Sequence, residues 1–338
     1  MDSFAFFYEG SNINETGIKC RFLKKFFKSK SKDINADLHF NVWSLEKDNI
    51  FIDIGIKIYK TNGIKKIFIY VPFLIEDEKK EIEDLSEKLL DIKTANLIFN
   101  TDCNIDKENV TADGVTYKII DLEDKIEVNK KNKYNRNNSI IKIELNDVNI
   151  NNNNIYIRFR IKNKNIKDSI MFTPKSPSDF TSPKKNIYKI IDIKINKKRN
   201  FPYDKLNNKY TLFSFNKIHF LLMEDIYSDI NFLSKDIYEV RILEKDWSSY
   251  LGIENINNII VFHYKNKSEK EKIEDCSIVI KVINKKQNLI LLFIYTLFAL
   301  LISAMPSFLT EFVNIFYIFL TVSSLFVILV IFYLKRKW

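Results

Sequence analysis

The sequence predicts an α+β fold, with a mainly antiparallel β region followed by a carboxy-terminal transmembrane hairpin of two helices. Through the first 286 residues, short segments alternate apolar and polar side chains, as half-buried strands do. From residue 288 onward the only charged side chains are Glu311, Lys335, Arg336 and Lys337. This change in composition separates a charged β region from an apolar tail.

Composition limits the class of protein. The chain has 338 residues, with 46% hydrophobic and 28% charged residues, which excludes a disordered or a fibrous protein. The 53 basic residues outnumber the 43 acidic ones, for a net charge of +10. The three cysteines, Cys20, Cys103 and Cys276, are scattered, so the sequence predicts neither a disulfide framework nor a zinc site.

Ten segments alternate as strands do. They are residues 38–43, 50–59, 64–73, 139–145, 155–161, 187–195, 218–223, 237–243, 258–264 and 277–283. An asparagine-rich turn between 139–145 and 155–161 predicts a hairpin. One amphipathic helix is predicted at 78–92, because Ile82, Leu85, Leu89 and Leu90 share one helical face.

These segments predict three domains. Residues 1–128 form a β-rich module that contains the helix, and residues 129–286 form a second β-rich module. The polar, basic stretch at 129–138 marks the boundary between them. Residues 287–338 form the transmembrane hairpin.

The tail contains two uncharged runs, at 288–304 and 312–334, separated by a turn that includes Pro306. As helices they would be roughly 26 and 35 Å long, against a hydrocarbon core of about 30 Å. A helical hairpin buried in a protein core is the alternative, but the lengths favour two membrane-spanning helices that contact the lipid bilayer.

The flanking charges predict the orientation. Lys281, Lys285 and Lys286 precede the first run and Lys335, Arg336 and Lys337 follow the second, whereas the connecting turn has no basic residue. The positive-inside rule places both termini and the main domain in the cytoplasm, and the protein in the inner membrane. The amino terminus lacks the basic start and apolar run of a signal peptide.

A polar stripe follows the second run. Asn314, Tyr317, Thr321 and Ser324 are spaced by three or four residues, so they share one helical face. They predict either a helix interface, in which the two helices satisfy each other, or the lining of a pore in a homo-oligomer.

Catalytic chemistry is not indicated. The three histidines, His39, His219 and His263, lie in separate strand segments. Asp37, His39 and Asn41 share a strand face, but no further partner for them can be named. The sequence has no glycine-rich phosphate loop, no GxSxG and no HExxH. It therefore predicts a protein that is not an enzyme and has no catalytic residues, metal or cofactor.

A basic and aromatic segment lies near the amino terminus. Lys19, Arg21, Lys24, Lys25 and Lys28 alternate with Phe22, Phe26 and Phe27, a pattern suited to phosphates and stacked bases. These five basic residues are the predicted contacts for a nucleotide or nucleic acid. A solvated helix face, or contact with anionic lipid headgroups, explains the same pattern.

A basic region followed by the uncharged hairpin of 288–334 resembles the membrane effectors of bacterial anti-phage nucleotide signalling, in particular the Hailong-type channel effectors. The resemblance implies a homo-oligomeric channel whose cytosolic domain senses a nucleotide or single-stranded DNA oligomer made by a partner nucleotidyltransferase. In that family the ligand holds the channel shut, whereas in related cyclic-nucleotide systems a ligand opens it.

Three functions remain open on the sequence. The first is a ligand-gated, pore-forming effector that controls membrane depolarisation in anti-phage defence. The second is a membrane-anchored interaction or scaffold protein whose hairpin is a tether. The third is a tethered enzyme of unrecognised type.

Overall fold

A computed structural model describes most of the chain. The described residues are 2–10, 34–45, 49–61, 63–129, 138–145, 153–174, 184–203, 206, 210–233, 239–253, 256, 258–267, 271–287, 289–309 and 313–336. The chain divides into two compact units, residues 1–176 with 187–284, and residues 177–186 with 285–338.

Nineteen strands are present in the described residues. They are β1 (Ala5–Gly10), β2 (Asn35–Leu45), β3 (Asn49–Tyr59), β4 (Ile64–Val71), β5 (Ile82–Asp84), β6 (Cys103–Asp106), β7 (Asn109–Ala112), β8 (Val115–Ile119), β9 (Ile126–Asn129), β10 (Ser139–Glu144), β11 (Asn154–Lys162), β12 (Met171–Phe172), β13 (Lys184–Ile195), β14 (Thr211–Leu212), β15 (Lys217–Asp225), β16 (Ser228–Phe232), β17 (Glu239–Ile242), β18 (Ile259–Lys267) and β19 (Cys276–Gln287). All ten predicted strand segments overlap one of these.

The helices are few and mostly short. They are α1 (Glu78–Glu81), α2 (Ser86–Leu89), α3 (Ile92–Phe99), α4 (Ile166–Ile170), α5 (Trp247–Leu251), α6 (Leu289–Leu309) and α7 (Val313–Lys335), with a 3₁₀ turn at Lys198–Asn200.

The predicted helix at 78–92 is wrong. Three elements replace it, because Ile82–Asp84 pairs as β5 with β11 and so interrupts the helical backbone. Asp84 then accepts hydrogen bonds from the backbone nitrogens of Ser86 and Leu122. Apolar residues at helical spacing meet the core here without forming one continuous helix.

Strands from both sides of residue 128 share sheets. The largest sheet has the order β17-β18-β15-β2-β3-β11-β8-β7-β6, with β5 also paired to β11. Within it β2 pairs in antiparallel fashion with β3 and in parallel with β15, and β3 pairs in antiparallel fashion with β11. A five-stranded sheet, β14-β1-β4-β10-β9, and a four-stranded sheet, β12-β13-β19-β16, complete the first unit.

The main core lies against one face of the large sheet. Leu38, Phe40 and Val42 of β2 point to this face, together with the isoleucines at alternate positions of β3 and β11. The same cluster includes inward residues of the other two sheets, such as Ile69 and Ile280. The alternation that predicted the strands therefore arises from this one apolar face.

The second unit contains α6 and α7, which contact each other through the rings of Phe298 and Phe326, 6.4 Å apart. None of the helices in the described part of the chain is both long and apolar enough to cross a membrane. The predictions of a transmembrane hairpin, an ion channel and an inner-membrane location are therefore wrong.

Candidate functional site

The opposite face of the large sheet carries polar side chains beside a second apolar cluster. Paired residues of neighbouring strands point to the same face, so the register defines rows of side chains across the sheet. Asp37 of β2 lies between Lys217 of β15 and Lys57 of β3. In the next row, His39 lies between His219 and Gly55. Sheet pairing thus assembles charged and titratable groups that are distant in the sequence.

A buried charge network occupies one end of this face. The carboxylate of Asp53 accepts hydrogen bonds from Arg160 Nε (2.6 Å), Tyr250 Oη (2.7 Å) and Trp43 Nε1 (2.8 Å). Arg158 donates from Nε to Tyr250 Oη at 2.8 Å. Asp53, Arg158 and Arg160 are each no more than 1% exposed. The network fixes Tyr250, and with it α5, over the sheet.

Tyr156 links this network to the histidines. Its hydroxyl accepts a hydrogen bond from Arg158 Nη1 at 2.9 Å and lies 3.2 Å from His39 Nδ1. The ring passes over Gly55, where an added Cβ would lie 3.0 Å from Tyr156 Cζ and closer still to Oη. A glycine is therefore required in the middle of β3 to leave room for Tyr156.

Replacing Gly55 by alanine is expected to lower the free energy of unfolding by about 1–3 kcal/mol, because the new methyl group overpacks the site. Chemical denaturation measures the loss. Gly10→Ala is the matched control, since its Cβ would meet only the carbonyl oxygen of Gly63 at 3.8 Å. Tyr156→Leu should reduce the cost of Gly55→Ala. Equal losses at the two glycines would contradict the steric explanation.

The three histidines form a continuous cluster. His219 Nδ1 lies 3.1 Å from His263 Nε2, and the rings of His39 and His219 are 5.1 Å apart. Burial is the main cause that lowers the pKa of all three, with the pKa of His219 falling to about 3. Lys57 lowers the pKa of His39 and His219 further, whereas Glu239 opposes the shift at His263. At neutral pH the cluster is uncharged.

A cavity of about 430 Å³ opens above these histidines. Strands of the large sheet form its floor, and α3 with the β7–β8 hairpin forms one wall. Its lining includes the basic, acidic, histidine and aromatic residues Asp37, His39, Lys57, Tyr59, Phe99, Tyr117, Lys217, His219, Arg241, His263 and Lys265. A second cavity of about 340 Å³ shares Asp37, Tyr59 and Lys217 with it.

The described lining of the cavity has four basic side chains and three acidic ones. Of the acids, Asp37 accepts a hydrogen bond from Tyr59, Glu239 lies 3.8 Å from His263 Nδ1 and Asp113 accepts a hydrogen bond from Thr101. By contrast, Lys57 and Lys217 lie beyond ion-pair distance of every described carboxylate. Burial lowers the pKa of Lys57 to about 8, with Asp37 opposing the shift. Lys57 therefore remains largely charged at neutral pH.

Aromatic rings form the wall beside Lys57. Its Nζ lies 4.5 Å from the ring centre of Phe99 and 5.4 Å from that of Tyr117. Tyr59 and Tyr117 contact each other edge to face, with ring centres 6.0 Å apart. Flat apolar surface and positive charge thus occur side by side in one cavity.

None of the described residues that line this cavity was predicted as a site residue. Lys19, Arg21, Lys24, Lys25 and Lys28 lie outside the described residues, so their role in ligand contact stays a prediction. Asn314 and Tyr317 lie in α7, with side chains outside the described set. Of the same stripe, Ser324 donates from Oγ to the carbonyl oxygen of Thr321 at 2.8 Å, a bond within one helix turn.

The sequence analysis missed the cavity. It named Asp37, His39, His219 and His263 but found no partner for them, because the pairing of β2 with β15 joins segments about 180 residues apart. Within the described residues, no group of three or more His, Cys, Asp or Glu side chains is placed to hold a metal ion.

Comparisons with known proteins do not identify the chain: no family model matches it, and no curated protein does. The predicted resemblance to anti-phage effectors stays a prediction. Any functional conclusion depends on the geometry of the cavity.

Proposed function

We propose that the protein is a binding module for a small anionic ligand with a planar ring, and that this ligand is a nucleotide. The observation that carries the proposal is the cavity above the histidine cluster. There Lys57 and Lys217 lie beyond ion-pair distance of the described carboxylates, and Lys57 lies beside the rings of Phe99 and Tyr117.

The phosphate and the base of a nucleotide each have a suitable surface in this cavity. Two ammonium groups in a half-buried cleft attract a phosphate more strongly than they would in open water. The aromatic wall offers apolar area to a base. A volume of about 430 Å³ falls within the range usual for small-molecule sites, roughly 300–1,000 Å³.

The pore-forming part of the predicted function is not proposed, because the described helices cannot cross a membrane. What remains of the prediction is a module that senses a nucleotide. The cavity, rather than the segment at 19–28, is the site we propose for it.

Isothermal titration calorimetry of the full chain against nucleoside mono-, di- and triphosphates tests the proposal. Lys217→Met is expected to weaken binding about 10- to 100-fold, the usual value of a charge-assisted hydrogen bond. Affinity should also fall with rising salt, and as the pH rises above about 8, where Lys57 loses its proton.

Lys79→Met is the matched control, because it removes the same charge from an exposed position outside the cavity. Equal affinities of Lys217→Met and wild type would contradict the site. Loss of binding on neutralising Lys24 and Lys25 alone would move the site to the predicted amino-terminal segment. Absence of any nucleotide binding would favour the alternative of an interaction or scaffold protein.

A further inference from the structure

An acceptor atom without a partner lies among the cations of the cavity. Asp37 is 4% exposed, and its Oδ2 accepts a hydrogen bond from Tyr59 Oη at 2.7 Å. Its Oδ1 has no hydrogen-bond partner in the described part of the protein. A buried carboxylate oxygen left unpaired costs about 1–3 kcal/mol or more, so a ligand that supplies a donor there gains binding energy.

The neighbours of Asp37 fix where that donor belongs. Lys217 and Lys57 flank Asp37 on the adjacent strands, and neighbouring strands of a sheet are about 4.8 Å apart. An anion held by these two ammonium groups therefore lies next to the carboxylate. A purely anionic ligand would be repelled by Asp37, unless the ligand also presents an N–H or O–H group to Oδ1.

From this arrangement we infer that Asp37 is a specificity-determining residue, which selects a ligand with a hydrogen-bond donor close to its anionic group. The inference rests on the proposed nucleotide function. In a nucleotide the donor is a ribose hydroxyl or an amino group of the base; both offer the same chemistry to a carboxylate oxygen.

Whether Asp37→Asn raises or lowers the affinity for the ligand distinguishes a hydrogen-bonding role of Asp37 from a purely electrostatic one. If Asp37 contributes only negative charge, its removal raises the affinity for every anionic ligand. Asparagine has one acceptor oxygen where aspartate has two, and Tyr59 Oη, which itself accepts from Tyr117 Oη, donates to that oxygen. If Oδ1 accepts a bond from the ligand, the variant therefore turns its amide N–H groups toward the ligand's donor and the bond is lost. The variant then loses about 10- to 100-fold in affinity for ligands that carry the donor.

The experiment measures the affinity of wild type and Asp37→Asn for adenosine monophosphate and three analogues, the 2′-deoxy, the 3′-deoxy and the 6-deamino forms. We expect one analogue to bind wild type more weakly than the parent does, and the variant to bind that analogue and the parent equally. This pattern identifies the sugar or the base as the donor.

The outcomes separate this inference from the proposed function. Equal binding of the parent and all three analogues to wild type would overturn the role of Asp37, as would a gain in affinity in Asp37→Asn, while leaving nucleotide binding intact. A wild type that binds none of the four, and no other nucleotide, would overturn both. Circular dichroism of the variant, compared with Asp106→Asn at an exposed position, controls for folding.

Discussion

Replacing Asp53 by asparagine is expected to lower the free energy of unfolding by about 3–5 kcal/mol, the usual cost of breaking a buried ion pair from one side. The substitution keeps the size of the side chain but removes the nearest counter-charge of two guanidinium groups, those of Arg158 and Arg160, which lie 3.7 and 2.6 Å from the Asp53 carboxylate. Glu83, 3.9 Å from Arg160 Nη1, remains as a partner of Arg160 alone. Bulk solvent compensates neither charge, since each arginine is 1% exposed.

Urea denaturation followed by tryptophan fluorescence measures this loss at the site itself. Trp43 donates to Asp53, and its ring centre lies 5.6 Å from that of Trp247. Asp106→Asn is the matched control, because Asp106 is exposed on a strand of the same sheet. Tyr250→Phe removes two hydrogen bonds, the one to Asp53 and the one from Arg158, but no charge, and should cost about 1–3 kcal/mol.

A double-mutant cycle establishes that the loss comes from the ion pair. Arg160→Met should destabilise the Asp53→Asn protein less than it destabilises wild type, because the uncompensated charge is removed with it. Additive losses in the cycle, or a loss at Asp53 no larger than at Asp106, would show that the network contributes little.

Acid is expected to destabilise the protein steeply between pH 6.5 and 5. The histidines of the cluster have a lower pKa in the folded state than the 6.5 of an unfolded chain. In this window the unfolded state binds more protons than the folded state, so stability falls as the pH falls. Each histidine that stays neutral in the fold contributes about 1.4 kcal/mol per pH unit.

The charges around the cluster set its acid response. Lys57, Lys217, Lys265 and Arg158 face it from neighbouring strands and oppose protonation, and Glu239 favours it only at His263. Protonation of the histidine cluster therefore costs free energy in the folded state, and the three histidines stay neutral.

Unfolding free energies measured at pH 7, 6, 5.5 and 5 test this prediction. His219→Gln should reduce the slope against pH by about 1.4 kcal/mol per pH unit. Gln replaces a ring that stays neutral in the folded state between pH 7 and 5, so stability at pH 7 should change less than at pH 5. An identical slope in wild type and variant would show that the histidines titrate alike in both states.

Alternation in the sequence predicts the strands well, because the central strands of the large sheet, β15, β2, β3 and β11, each have one face in the apolar core. The period of two does not tell whether the other face meets water or a second layer. Residues 51, 53, 55, 57 and 59 of β3 read as a solvent-facing set, yet α3, α5 and the β7–β8 hairpin cover them in part. The candidate site lies in this second layer.

Long-range pairing is the other part that the sequence does not supply. Nothing local in β2 specifies that β15, rather than another alternating segment, lies beside it. The helix expected at 78–92 fails for a related reason, since the tertiary pairing of Ile82–Asp84 with β11 outweighs local propensity. Partners that meet only through such pairing, as His39 and His219 do, cannot be found from spacing.

The same long-range pairing affects how the chain folds as it leaves the ribosome. The backbone nitrogen of Phe6 bonds to Asn196 Oδ1, and Phe7 pairs with Leu212. β2 and β3 are neighbours in the chain, but β15, which covers the outer edge of β2, becomes available only when residues 217–225 have been translated. A hairpin of β2 and β3 alone has an apolar face and an unpaired edge, the features that favour aggregation of nascent chains. Synthesis of this protein therefore includes an interval in which one edge of its central strands has no partner strand.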